Sequence, residues 1–142
     1  MRAALPLLLV VAVLLAPLVE ELVFRGFLFD AWQRRWGWLA SAVLTSAVFA
    51  VYHRLFANAF LGSLVFICVL RRTGSLWTAI IAHAVSNLLL WYPLLGQFVL
   101  PGLADRGELP FVWLPHMVAL PLTIALLPIY LALAGKRPAF QA

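Results

Sequence analysis

The sequence predicts an all-α bundle of membrane-spanning helices that forms a single domain over residues 1–142. Of the 142 residues, 65% are hydrophobic and only 11% are charged, whereas a soluble domain is usually about a quarter charged. The apolar runs approach or exceed the roughly 17–25 residues that a helix needs to cross the hydrocarbon core. They lack the alternation of polar and apolar residues that marks the strands of a β-barrel.

Five apolar runs are predicted to be spans. They are Leu5–Phe29, Trp38–His53, Asn58–Leu70, Leu76–Leu95 and Phe111–Ala134. The last run contains three prolines, so we expect that helix to be kinked. The first run imitates a signal peptide, but Pro17 directly follows Ala16, the small residue that could precede a cleavage site. We therefore expect the first helix to stay uncleaved.

The basic residues predict how the bundle is oriented. They occur as short pairs between apolar runs, which is typical of membrane topology and not of a nucleic-acid surface. With the N-terminus outside, the inner loops hold six basic residues: Arg34, Arg35, Arg71, Arg72, Lys136 and Arg137. The outside then holds three, namely Arg2, Arg54 and Arg106. Because positive charge favours the cytoplasmic side, the sequence predicts an N-out, C-in protein of the cell membrane. The small size of the chain and its simple loops favour a bacterial or archaeal cytoplasmic membrane.

Three ionisable groups interrupt the first apolar run in the stretch VEELVFRGF, residues 19–27. A charge near the centre of a span costs roughly 2.5–3.5 kcal/mol, so such groups normally pair or face a cavity. Glu21 and Arg25 are four residues apart on one helical face, which predicts an internal ion pair. Glu20 is rotated about 100° from Glu21. It is therefore the carboxylate left free for chemistry.

Two further pairs share the four-residue spacing. The stretch FAVYH places Phe49 and His53 on one face, and HAVSN does the same for His83 and Asn87. Counted from the basic loops at 1.5 Å per helical residue, these groups and Glu20 reach the middle or outer half of the bilayer. A single histidine or asparagine in a span most often serves packing or hydrogen bonding between helices. Their convergence from three helices favours a functional site.

These motifs resemble those of the CPBP intramembrane proteases, which comprise the type II CAAX prenyl endopeptidases and bacterial relatives linked to bacteriocin processing and self-immunity. The family motifs E-E-x-x-x-R, F-x-x-x-H and H-x-x-x-N/D are matched in order by residues 20–25, 49–53 and 83–87. The resemblance covers about residues 14–96, and the C-terminal kinked span lies beyond it. It implies a glutamate-dependent intramembrane endopeptidase that uses neither a metal nor a cofactor.

The resemblance also implies a role for each motif residue. Glu20 is similar to the general base that activates water with the help of His53. Glu21 and Arg25 resemble the supporting ion pair. His83 and Asn87 resemble the donors that stabilise the tetrahedral oxyanion. Two amide or imidazole donors aimed at the oxyanion are each worth about 10²–10³ in rate.

Other functions remain open from the sequence alone. The protein could be a non-catalytic membrane binding or immunity protein of the same fold. His53 and His83 could ligate a haem, although the acidic motif and Asn87 would then be idle. A zinc site of two histidines and a glutamate is possible in principle, but the H-E-x-x-H motif of zinc proteases does not occur. The single cysteine, Cys68, lies in an apolar run without a nearby histidine.

The predicted partners are the lipid bilayer and a protein or peptide substrate. Prenylated C-termini, leader-bearing peptides and C-terminal sorting tails are all compatible with the resemblance. Many members of the family carry additional helices before the E-E motif, which begins here at residue 20. Either the chain is a minimal form that self-association or a partner could complete, or the protein begins further upstream. No nucleic-acid partner is predicted.

Overall fold

The computed structural model describes residues 5–53 and 56–99, together with Ile129 and Ala132, and every regular element in this part of the chain is a helix. The predicted all-α class is thus confirmed for the described residues. The predicted fifth span, Phe111–Ala134, lies outside them except at Ile129 and Ala132, both of which are helical.

The first helix, α1, is continuous over residues 5–36 and is longer than predicted. Its successive segments are Leu5–Val10, Val11–Leu15, Ala16–Glu21, Leu22–Phe29 and Asp30–Trp36. The prediction that it ends at Phe29 is wrong, because polar residues continue the helix by bonding along it. Asp30 forms an ion pair with Arg34 and accepts a hydrogen bond from Gln33.

Two segments of α1 have π-helical hydrogen bonding, namely Val11–Leu15 and Leu22–Phe29. The first of them ends two residues before Pro17, which has no N–H to donate. At the end of that segment the N–H of Ala16 donates to the carbonyl of Val11, five residues back. Departures of this kind from α-helical spacing occur frequently at functional sites.

Three further helices complete the described part of the chain: α2 is Trp38–Val51, α3 is Phe56–Thr73 and α4 is Leu76–Val99. The predicted second span ends two residues too late, because Tyr52 and His53 lie in the turn after α2. The predicted third and fourth spans, Asn58–Leu70 and Leu76–Leu95, are shorter than helices α3 and α4, which extend to Thr73 and Val99.

Glycines make two of the connections tight. Gly37 lies between α1 and α2 with φ 77° and ψ 163°, and Gly74 follows α3 with φ 69°. Side chains with a Cβ disfavour positive φ, so both turns favour glycine. Since α1 and α3 both end at such turns, Gly37 and Gly74 lie at the same end of the antiparallel bundle.

The core lies where α1, α2 and α3 meet. Its buried side chains are Phe29, Ala42, Leu64 and Ile67, with Trp38, Phe60, Leu61 and Leu70 packed around them. The buried face of α2 is otherwise made of small residues and hydroxyls, including Ser41, Thr45 and Ser46. Small side chains allow helices to approach closely and hydroxyls bond between them, as is common in membrane bundles. α4 packs on α3 and against α1.

Two of these helices are long and apolar enough to cross a membrane, within the described residues. They are Pro6–Trp36, with a mean hydropathy of 2.5, and Phe56–Thr73, with 1.4. Trp38–Val51 and Leu76–Leu90 are shorter apolar helices. The predicted number of five spans and the N-out orientation stay predictions.

Candidate active site

The two glutamates of the first motif lie in different surroundings. The side chain of Glu21 is fully buried, as is that of Arg25, and Arg25 Nη1 lies 3.0 Å from Glu21 Oε1. Glu20 keeps 28% of its side chain exposed. The difference arises because adjacent residues of a helix point about 100° apart. One carboxylate is thus held inside the bundle, and the other is accessible.

His83 joins α4 to both glutamates. Its Nδ1 lies 2.8 Å from Glu21 Oε1, and its Nε2 lies 3.6 Å from Glu20 Oε2. The ring is buried, with 4% of the residue exposed. Because an ionised carboxylate only accepts hydrogen bonds, Nδ1 carries the hydrogen in the contact with Glu21. The contact of Nδ1 with Glu21 therefore orients the His83 ring so that its Nε2 points toward Glu20.

Arg25 is tied to the rest of the bundle through two serines. Its Nη2 donates to Ser63 Oγ at 2.8 Å and to the Ser63 carbonyl at 3.2 Å. Ser63 Oγ in turn donates to Ser46 Oγ at 2.8 Å. All three side chains are buried. This buried chain connects α1, α3 and α2, and it leads to the carboxylate that holds His83.

Aromatic rings enclose the charged groups. Phe66 stacks on His83 with ring centroids 4.6 Å apart, and Phe49 meets the same ring edge-on at 5.8 Å. The guanidinium of Arg25 lies 4.7 Å from the centre of the Phe49 ring and 5.5 Å from that of Phe66. These contacts exclude water and add cation–π attraction to the buried charge. Phe49 is the first residue of the second motif.

His53 lies apart from the glutamates. It stacks on Phe49 at 4.3 Å, and its Nδ1 lies 2.8 Å from the Phe49 carbonyl. Within the described residues, the ion pairs under 4 Å that Glu20 and Glu21 form involve His83 and Arg25 and not His53. Since a carbonyl can only accept, Nδ1 of His53 donates in this contact, and in the neutral form of the ring Nε2 is then the acceptor.

Asn87 lies one turn after His83 and is half-buried. Its Nδ2 donates to the carbonyl of Ala12, at 2.8 Å. The amide thereby links α4 to the π-helical segment of α1. One of its two N–H groups is used in this contact.

The structure thus brings Glu20, Glu21, Arg25 and His83 into one connected cluster, with Asn87 one turn away and His53 joined to it through Phe49. Among the described residues, no group of three or more His, Cys, Asp or Glu side chains has an arrangement suited to a metal ion.

Sequence reasoning missed two residues and one contact. Ser46 and Ser63 were overlooked although each is a hydroxyl in an otherwise apolar stretch, a pattern that signals bonding between helices. The contact of Glu21 with His83 has no signal in local spacing, because the two residues are 62 positions apart.

Comparison with known proteins agrees with the motifs. Residues 2–89 match the family described as "Type II CAAX prenyl endopeptidase Rce1-like". A protein of Bacillus subtilis (strain 168) named "Putative membrane peptidase YdiL" is 26% identical over 87 residues, which is 59% of this chain and 36% of the relative. The chain therefore matches little more than a third of that relative's length. No solved structure matches.

The matched region contains all three motifs and the whole cluster around His83. The family description names an endopeptidase and the relative's name a membrane peptidase. In agreement with the apolar helices, the protein is a membrane protein. The chain belongs to the Rce1-like family of type II CAAX prenyl endopeptidases.

Proposed function

We propose that the protein is an intramembrane endopeptidase that cleaves a membrane-associated or lipidated peptide by glutamate-activated water. The observation that carries the proposal is the position of His83, whose Nδ1 is held by buried Glu21 while its Nε2 faces the accessible Glu20. Two carboxylates in unlike surroundings around one imidazole are an arrangement suited to separate catalytic and supporting roles.

Glu20 is the general base in this proposal. Its carboxylate takes a proton from a water molecule, whose oxygen attacks the carbonyl carbon of the scissile peptide bond. When the tetrahedral intermediate collapses, the bond from carbon to nitrogen breaks and the proton passes from Glu20 to the leaving amine. The products are a carboxylate and an amine. The 28% exposure of the Glu20 side chain leaves room for the water.

His53 assists this step through its Nε2. With Nδ1 engaged by the Phe49 carbonyl, Nε2 of the neutral ring is the acceptor that can orient a water molecule. The structure does not place it against Glu20, and catalytic contacts often tighten only when substrate is bound.

His83 and Asn87 act on the oxyanion. In the imidazolium form both nitrogens of His83 donate, so Nδ1 can bond Glu21 while Nε2 donates to the developing negative charge. Asn87 keeps a second N–H beyond the one that bonds Ala12. Donors fixed before the reaction need no rearrangement when the charge develops.

A cleavage assay tests the proposal. Purified protein in liposomes is given peptides that end in a prenylated C-terminal motif, with leader-bearing and sorting-tail peptides as parallel substrates, and the products are identified by mass spectrometry. We expect cleavage by the native chain and none by Glu20→Ala. Full activity of Glu20→Ala, or abolition by a chelator with rescue by zinc, would end the glutamate-base hypothesis. Retention of tight peptide binding without cleavage by the native chain would favour a binding protein.

A further inference from the structure

Neither α-helical nor π-helical spacing supplies a backbone donor for the carbonyl of Ala12. At α-helical spacing its donor would be the N–H of Ala16, but that N–H bonds the carbonyl of Val11. At π-helical spacing its donor would be residue 17, which is a proline without an N–H. Simple α-helical counting would instead have placed the gap at Val13.

An unpaired carbonyl in a dry environment is costly, and such groups are normally satisfied by another partner. Asn87 supplies that partner, with Nδ2 2.8 Å from the Ala12 oxygen across the contact between α4 and α1. Pro17 itself is buried. The proline, the π-helical segment and the asparagine are therefore parts of one arrangement, although 75 residues separate the bonded atoms.

We propose that Pro17 is a positioning residue for Asn87: it leaves the Ala12 carbonyl open, and that carbonyl fixes the plane of the Asn87 amide. The two N–H groups of a carboxamide lie in one rigid plane, so fixing one of them sets the direction of the other. The second N–H is the one available to an oxyanion. This consequence for catalysis rests on the proposed function, while the bond itself does not.

The first test is a double-mutant cycle on stability in detergent, made of Pro17→Ala, Asn87→Ala and the double variant. Alanine at position 17 provides an N–H and allows regular helical bonding, so the Ala12 carbonyl gains a backbone donor in that variant. Asn87→Ala should therefore lower the melting temperature clearly in the native background and much less in the Pro17→Ala background. Additive effects of the two substitutions would overturn the proposal.

Pro6→Ala is the matched control for this cycle. Pro6 belongs to the same helix but is exposed and lies outside the π-helical segment. The loss of melting temperature caused by Asn87→Ala should be the same with alanine at position 6 as in the native chain. If Asn87→Ala cannot be purified, Asn87→Ser replaces it, since the shorter hydroxyl keeps a polar group without the amide.

The second test is kinetic and separates positioning from simple stability. Pro17→Ala should lower kcat by about tenfold with little change in KM. This loss is smaller than the roughly 10²–10³-fold loss of kcat expected when an oxyanion donor is removed. Pro6→Ala should leave both constants unchanged. An unchanged kcat in Pro17→Ala would overturn the positioning role. If the native chain cleaves none of the peptides, the proposed function has failed, and the stability cycle still decides whether Pro17 controls the bond.

Discussion

Glu20 and Glu21 are neighbours in the chain, yet the contacts of their side chains divide them. Glu21 touches Arg25 and His83 and is fully buried, whereas Glu20 lies near His83 Nε2 and is partly exposed. Removing one member of a buried charge pair leaves the other charge unpaired, at a cost of about 3–5 kcal/mol. Removing an accessible base mainly affects the reaction.

The first prediction separates these two carboxylates. Glu21→Gln should lower the stability of the detergent-solubilised protein by about 3–5 kcal/mol, because Arg25 and His83 lose their shared anion. Glu20→Gln should melt like the native protein, bind peptide and lose about 10²–10⁴ in kcat. Melting curves and cleavage rates of both variants provide the check. Equal loss of folded protein in the two variants would contradict this division.

The second prediction concerns the serine that receives Arg25. Ser63→Ala removes a hydroxyl that accepts from a buried guanidinium, and hydrogen bonds to charged groups are worth about 1.5–3 kcal/mol. Ser41→Ala is the matched control, because Ser41 is also buried but its hydroxyl bonds the Gly37 carbonyl and not a charged group among the described residues. We expect Ser63→Ala to be the more destabilising variant and to lower the cleavage rate as well. A greater effect of Ser41→Ala would refute the role of Ser63.

The hydrogen bonding of helix α1 is irregular around its buried proline. Pro17 has no N–H to donate, and the segment just before it has π-helical hydrogen bonds, while the helix continues to Trp36. Helix breakers are tolerated inside membranes when neighbouring helices satisfy the freed groups. Asn87 on α4 does this for α1, so the two helices depend on each other.

The turn between α1 and α2 leads to a prediction at the level of the elements. Gly37 has φ 77° and ψ 163°, a region that is essentially restricted to glycine. A Cβ there meets nothing within 4 Å, so the penalty comes from the backbone alone. Gly37→Ala should destabilise the protein by about 1–3 kcal/mol.

Gly62→Ala is the control for that substitution. Gly62 lies inside α3, and its Cβ would come no closer than 3.9 Å to the ring of Phe66. Alanine favours the helix over glycine by about 0.5–1 kcal/mol, so this variant should be neutral or stabilised. Thermal unfolding of both variants in the same detergent tests the pair. A more stable Gly37→Ala protein would show that the turn is not restricted as described.

Considered as a whole, the described bundle has two ends with different chemistry. The end at Gly37 and Gly74 carries four arginines, and at this end Arg71 lies over the Trp38 ring at 4.4 Å and Arg35 over Trp36 at 5.9 Å. Paired arginine and tryptophan side chains are typical of a membrane interface, and excess arginine marks the cytoplasmic side. The opposite end carries the turn at Tyr52, which is 78% exposed.

The prediction at this scale is the orientation of the protein in the membrane. Single cysteines are introduced at Tyr52 and at Ser75 in a Cys68→Ser background, and intact cells are treated with a membrane-impermeant maleimide. Tyr52→Cys should react in intact cells, and Ser75→Cys should react only after permeabilisation. The reverse pattern would overturn the N-out orientation. Cys68→Ser should itself keep full cleavage activity, because the cysteine has no part in the proposed reaction.

The sequence by itself determined the helical class and the family. Both follow from local causes, namely apolar composition and motifs whose members lie four residues apart on one helix. The helix ends were predicted less well. For α1, hydropathy places the end of the helix before Asp30 and Gln33, because these residues are polar, although they form bonds within the helix.

Only the tertiary structure decided which distant groups meet. His83 contacts both glutamates, Arg25 reaches Ser63, and Asn87 bonds the carbonyl of Ala12 rather than lying free. Each of these contacts joins residues at least 38 positions apart, so it depends on how the helices pack. The bond of Asn87 depends in addition on the π-helical segment of α1. Helical periodicity fixes the face on which a side chain lies, but the packing of the helices selects the partner opposite it.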